Sequence, residues 1–414
     1  MKNISTYSIL KYSFIAFPLA FAGIPIYLHA PDYYVTNAGI KIEVIGFALL
    51  FLRLADAFLD PLIGSLSDRF FHYRDKIIYF GSLLLLLGFW MIFHPVGSGI
   101  IFWFALSIFL CTLGFSLVAI NIQAFGGLWD ISAPQATKVI VTREAIGLLG
   151  LLAASIIPTI FYIFYKESNF HFMSVMLIFI VTFSLIVFSS WFKSSVIRSP
   201  DNKSYNGSMR LIFINKKVKL FFISYFFSGF AAAIPATLII FYVRDYLNAE
   251  QYLGPFLLIY FASGALSMPI WKTLAIKKTC KHAWLYSMIF ALFSFIWAFF
   301  LQPNDIFGFF VICLLSGMAV GANLGLPSAI IAEFIYLNKH EKYAASYYSV
   351  SNFLSKFSLA IASGIALPIL GFMDYQPGIA RTDFLFPVTY ALLPCFFQIV
   401  SILILRRLIA QNSC

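Results

Sequence analysis

Uninterrupted apolar runs of about 20 residues recur from one end of this 414-residue chain to the other, each bounded by Gly, Pro or charged punctuation. A run of that length is what a helix needs to cross about 30 Å of hydrocarbon. Twelve can be read, at about 8–28, 42–63, 77–94, 99–121, 139–163, 171–192, 218–243, 253–274, 283–301, 306–332, 343–371 and 384–405. They are continuously apolar rather than alternating, which excludes a transmembrane strand barrel. With 61% hydrophobic and 11% charged residues and a mean hydropathy of +0.89, the composition lies outside that of soluble globular proteins. The expectation is an all-α membrane protein of about twelve transmembrane helices.

The formal net charge of +11 does not point to nucleic acid, because its distribution is topological. Of the 28 Lys and Arg residues, 22 fall on the N-terminus, the even-to-odd loops or the C-terminus, among them Lys138, Lys272, Lys277, Lys339, Arg406 and Arg407. Only Lys41, Lys166, Arg244 and Arg381 lie in the opposite loops. The positive-inside rule then places both termini in the cytoplasm, with a bacterial inner membrane as the expected location. Five scattered cysteines give neither a disulfide framework nor a metal spacing. The first apolar run lacks a small-x-small cleavage site and is expected to be retained.

The longest polar stretch, from Lys193 through Arg210, separates two sets of six runs. The expected organisation is an N-terminal six-helix half at 1–192, a cytoplasmic linker at 193–217 and a C-terminal six-helix half at 218–414. Internal likeness supports duplication. Phe21-Ala22-Gly23-Ile24-Pro25 resembles Ala231-Ala232-Ala233-Ile234-Pro235, and each is followed by a second in-span proline, Pro61 and Pro269. Asn121 with Asp130 in the fourth run parallels Asn323 with Glu333 in the tenth. Repeats of this kind mark carriers that rock two halves around a site near the midplane.

Within the second run, Arg53, Asp56 and Asp60 interrupt the hydrocarbon. Each ionised side chain at mid-bilayer costs about 2.5–3.5 kcal/mol on insertion scales, so three within nine residues need partners, water or a bound ion. Spacings of three and four put them on one helix face. Two carboxylates in a low-dielectric site cannot both stay ionised cheaply unless a cation lies between them. Asp56 and Asp60 are therefore candidate ligands for Na⁺ or H⁺. Aligned on the prolines, the second half has Phe261, Gly264 and Met268 at these positions, which confines an ion site to the first half.

Gly64-Ser65-Leu66-Ser67-Asp68-Arg69, followed by Arg74 and Lys76, resembles the loop between helices two and three of the major facilitator superfamily. The joint pattern of Arg53, Asp56, Asp60-Pro61, Gly64 and Asp68 is similar to the glycoside, pentoside and hexuronide cation symporters, the melibiose-permease-like family. Asn121-Ile122-Gln123, Arg143, Leu326-Pro327 with Ala332-Glu333, and Lys356 resemble further motifs of that family. The resemblance implies the major facilitator fold, a coupling cation at Asp56 and Asp60, and Lys356 as a charge partner in the eleventh helix. It also implies a cytoplasmic gate involving Gly64, Asp68, Arg69, Arg74, Glu144 and Glu333. The family's sugar carriers hold hydroxyls with acids in the first and fourth helices; here stand Phe17-Pro18-Leu19-Ala20 and Asn121.

Solute candidates are Asn121, Gln123, Arg143, Asn323 and Tyr27. Neither catalytic constellations nor a phosphate-binding glycine loop is present, so an enzyme or an ATP-driven pump is not expected. The expected function is secondary active symport of a small, sugar-like organic solute, with no cofactor beyond Na⁺ or H⁺. The only partners expected are the solute and membrane lipid, with the protein a monomer. Alternatives left open are a carrier of an amphiphile or lysolipid, and a non-transporting receptor on a carrier scaffold.

Overall fold

The computed structural model describes residues 4–36, 39–97, 99–165, 170–198, 210–372 and 385–411. They are helical almost throughout. In chain order the helices are α1 (Thr6–Ser13), α2 (Ala16–Ile24), α3 (Ala30–Thr36), α4 (Ile42–Arg69), α5 (Arg74–Phe93), α6 (Ile100–Leu128), α7 (Ala133–Tyr165) and α8 (Phe170–Ser194). There follow α9 (Arg210–Ile214), α10 (Lys216–Phe241), α11 (Leu253–Lys277), α12 (Cys280–Phe295), α13 (Ile306–Leu337), α14 (Ala344–Phe372), α15 (Leu385–Pro387) and α16 (Leu393–Ala410). Among the described residues ten helical segments are long and apolar enough to cross a membrane. The charges of α4 set it apart from those ten. Polar side chains start several helices: Ser5 accepts from the Ser8 N–H, Asn215 from Lys217 and Thr279 from His282. Among the described residues three π-helical turns, Pro25–His29, Tyr242–Tyr246 and Val388–Leu392, adjoin the regular helices.

The chain forms two compact units, one of residues 1–207 with 331–352, the other of 208–330 with 353–414. In the first unit α2 packs on α7, and α6 is held between α4 and α5. The α5–α6 approach depends on missing side chains. A Cβ on Gly88 would lie 2.4 Å from the Cys111 backbone nitrogen, and one on Gly114 would lie 2.4 Å from that of Leu85. Small residues permit this intimacy, and in lipid, where the hydrophobic effect does not drive helices together, close packing holds them. The unit's core gathers Tyr12, Trp129, Phe188 and Trp191.

In the second unit α10 packs on α16 and α12 on both α11 and α16. Tyr242 and Tyr390 stack at 3.8 Å with rings 9° apart, and Phe309 and Phe386 complete that cluster. Large apolar side chains remain on the outside, Phe51, Phe102, Phe179, Leu266 and Phe307 among them, as a bilayer requires of lipid-facing surfaces.

Candidate cation and solute site

α4 carries two faces along its length. Phe51, Phe58, Leu62 and Leu66 are exposed, while Asp56, Ala57, Asp60, Ile63, Gly64, Ser67 and Asp68 are buried. The spacing of three and four puts the acids on the inner stripe. Burial deepens along the stripe: Arg53 is exposed, Asp56 is 6% exposed and Asp60 is fully enclosed. The Ser116 hydroxyl of α6 donates to Asp56 at 3.2 Å. Two carboxylates and a hydroxyl are hard oxygen donors, the chemistry that holds Na⁺ or a shared proton. Two turns beyond Asp60, Ser67 donates to the Asn121 Oδ1, and the Asn121 amide donates to the Leu117 carbonyl at 2.8 Å. Asn121 is fully buried and joins α6 to α4.

The end of α4 forms a clamp inside the first unit. Asp68 accepts from the Ala345 N–H at 2.9 Å, the Ser346 N–H at 2.8 Å and the Ser346 hydroxyl at 2.6 Å. It thereby satisfies two backbone donors in the first turn of α14, where the helix dipole favours an anion. Arg74, fully buried at the start of α5, forms the ion pair with Asp68. Arg69, its sequence neighbour, is exposed. Gly64 admits α14: a Cβ there would meet the Ser349 hydroxyl at 2.1 Å and the Ala345 carbonyl at 2.9 Å.

Arg143 on α7 is buried and pairs with Glu144 beside it. Its guanidinium also reaches the Tyr12 hydroxyl at 3.5 Å, and Tyr12 donates to the Ile122 carbonyl at 2.7 Å. Gln123, next along α6, has a buried Oε1 with no hydrogen-bond partner among the described residues. A buried acceptor left unpaired costs about 1–3 kcal/mol, so this atom suits a donor brought by a ligand.

The backbone of Tyr27 lies in the π-helical turn Pro25–His29; its side chain lies outside the described residues. Trp129 belongs to the core against Tyr12 and Trp191. Asp130 pairs with Arg198 at 3.0 Å, beside a two-stranded bridge between Trp129 and Ile197. Glu333, half-buried, lies on α13 within the first unit. In the second unit, Asn323 accepts from the Trp284 indole N–H at 2.7 Å, and Lys356 is half-buried on α14. The backbone donors of Ala345 and Ser346 and the hydroxyl of Tyr12 were not among the sequence candidates. Adjacent Gly126 and Gly127 were the available signal for Tyr12, since a Cβ on Gly126 would fall 2.2 Å from its hydroxyl and one on Gly127 2.8 Å from that of Tyr348.

A family model described as MFS/sugar transport protein matches residues 12–410. The chain belongs to that family. It is therefore an integral, multi-pass membrane transporter and not an enzyme. The solved structures agree on the fold. A bacterial homologue of the iron transporter ferroportin, in an outward-facing state, is 14% identical with a TM-score of 0.78, over 99% of this chain and 100% of that one. A variant of the Escherichia coli fucose:proton symporter FucP is 14% identical with a TM-score of 0.71, over 97% and 98%. A second structure of FucP, a major facilitator superfamily transporter, is 13% identical with the same TM-score, over 98% and 99%. A search of curated proteins found no match.

Proposed function

We propose that this family member is a secondary active symporter, coupling Na⁺ or H⁺ bound at Asp56 and Asp60 to uptake of a small, sugar-like organic solute by alternating access. The observation that carries the proposal is the pair of buried acids on α4, with a hydroxyl of α6 on Asp56. A carrier with no coupling ion has no need of carboxylates in so costly a place. The fucose:proton symporter among the structural neighbours supports the reading. So does the melibiose-permease-like pattern running from Arg53 through Asp68.

In this scheme the protein crosses the membrane twelve times, in two six-helix halves joined by the segment at 193–217. Both termini are cytoplasmic, and the protein works as a monomer in a bacterial inner membrane. Lys356 supplies positive charge to the carboxylates when the ion has left. Gln123, Arg143 and Asn323 face the solute, while Asn121 serves as a helix-joining amide. The clamp of Asp68 and Arg74 on α14 closes the cytoplasmic gate and is broken when the carrier opens inward. With an inward-negative potential, each co-transported positive charge contributes about 2.3 kcal/mol per 100 mV, enough to concentrate an uncharged solute about fifty-fold.

A second reading, a carrier of amphiphiles or lysolipids, is favoured by α2, whose buried positions are Pro18, Leu19, Phe21 and Ala22 with no acid to bind hydroxyls. A thermal-shift screen of the purified protein separates the two. A sugar-like solute that stabilises the wild type, and does so more strongly with Na⁺ or at a pH that loads the acids, supports the symporter. Stabilisation by lysolipids alone supports the amphiphile carrier.

A further inference from the structure

We propose that His94 and His171 form a binding site for a first-row transition dication, with Cu²⁺ preferred over Zn²⁺. His94 closes α5 and His171 stands in the first turn of α8, and these two helices pack together within the first unit. The His94 Nε2 and the His171 Nδ1 are 2.9 Å apart, with the rings nearly perpendicular. Both rings are held by one indole. His94 stacks on Trp90 at 4.0 Å with planes 6° apart, and His171 meets the same ring edge-on at 5.3 Å.

The tautomer follows from the neighbours. The His94 Nδ1 lies 2.8 Å from the Trp90 carbonyl, which can only accept, so that nitrogen carries the proton. The Nε2 is then the basic nitrogen, and its lone pair faces His171. Orientation of a ligating imidazole by a backbone carbonyl on its other nitrogen is the arrangement that metal sites use to fix ring and tautomer. In the metal-free pair the His171 Nδ1–H donates to the His94 Nε2. For a dication to bind between them, His171 changes tautomer: its proton leaves Nδ1 and one is taken up at its exposed Nε2 by exchange with water, and each ring turns to aim its free lone pair at the ion.

The donor type selects the metal. Imidazole suits Cu²⁺, Ni²⁺ and Zn²⁺ alike, and for a given nitrogen site Cu²⁺ binds most tightly of the first-row dications. His171 is exposed and His94 half-buried, so an ion reaches the pair without unfolding anything. Among the described residues no cluster of three or more His, Cys, Asp or Glu side chains can hold a metal, so water or a solute group fills the remaining positions. The bound ion would staple the end of α5 to the start of α8.

The test is titration of the full-length protein in detergent with Cu²⁺, followed by calorimetry and by electron paramagnetic resonance. The wild type is expected to bind one ion with micromolar affinity and to show coupling to two imidazole nitrogens. His94→Gln and His171→Gln should each weaken binding more than tenfold and remove one nitrogen from the spectrum, while His282→Gln, in the first turn of α12 in the second unit, changes neither. Should His94→Gln fail to fold, His171→Gln at its exposed position carries the test alone. Unaltered copper binding in a folded variant, or a wild-type spectrum without imidazole nitrogen, overturns the proposal.

Discussion

Two arginines five residues apart, Arg69 and Arg74, play different parts although both follow Asp68 in the sequence. The α4 helix ends at Arg69 with its side chain outward, whereas the short turn at Phe71–Tyr73 swings Arg74 inward onto Asp68. Removing one partner of a buried ion pair strands the other charge, at a cost of about 3–5 kcal/mol. Arg74→Ala should therefore lower the unfolding temperature sharply. Arg69→Ala should stay within about 0.5 kcal/mol of wild type in the same thermal melts. Near this clamp His340, in the loop after α13, contacts the Tyr347 hydroxyl at 2.9 Å. Burial pushes its pKa below the ordinary 6.5, against the opposing pull of Glu341. The unfolded chain then takes up the proton first as pH falls, so the stability linked to this group is intact above about pH 6.5 and declines below it. Melts from pH 7.5 to 5.5 should show that decline, and His340→Gln should flatten it.

At the scale of helices, the apolar runs and their polar punctuation were legible because each segment must satisfy its own backbone in lipid. The sequence cluster of Arg53, Asp56 and Asp60 was legible as one face for the same geometric reason, although the structure encloses Asp60 and leaves Arg53 exposed. What the sequence did not disclose was long-range: that Asp68 caps α14, 277 positions away, and that Tyr12 reaches Arg143. Hydrogen bonds between distant elements have no period to read. Glycines offer a quantitative check on helix contacts. Gly88→Ala and Gly114→Ala push a methyl into facing backbone and should cost about 1–3 kcal/mol each. Gly46→Ala, in α4 with nothing within 4 Å of its Cβ, should be neutral or stabilising by up to about 1 kcal/mol. Thermal melts of the three variants in one detergent would rank them.

Across the whole molecule the two units differ at the positions that the proposed function singles out. The proline alignment places Gly264 and Met268 at the positions of Asp56 and Asp60. In the second unit Met268 is buried, and the Gly264 carbonyl lies 2.3 Å from where a Cβ on Gly321 would stand. Where the first unit keeps carboxylates, the second has closed on itself by glycine packing. The proposed coupling rests on this asymmetry, with the ion assigned to α4 alone. The most direct measurement of that idea is solute accumulation in proteoliposomes under an imposed Na⁺ or H⁺ gradient, comparing wild type with Asp56→Asn and Asp60→Asn. The expected result is gradient-driven accumulation in the wild type and its loss in both variants, with downhill exchange of solute retained. Accumulation that survives in the double Asn variant would contradict the assignment of the coupling ion to α4.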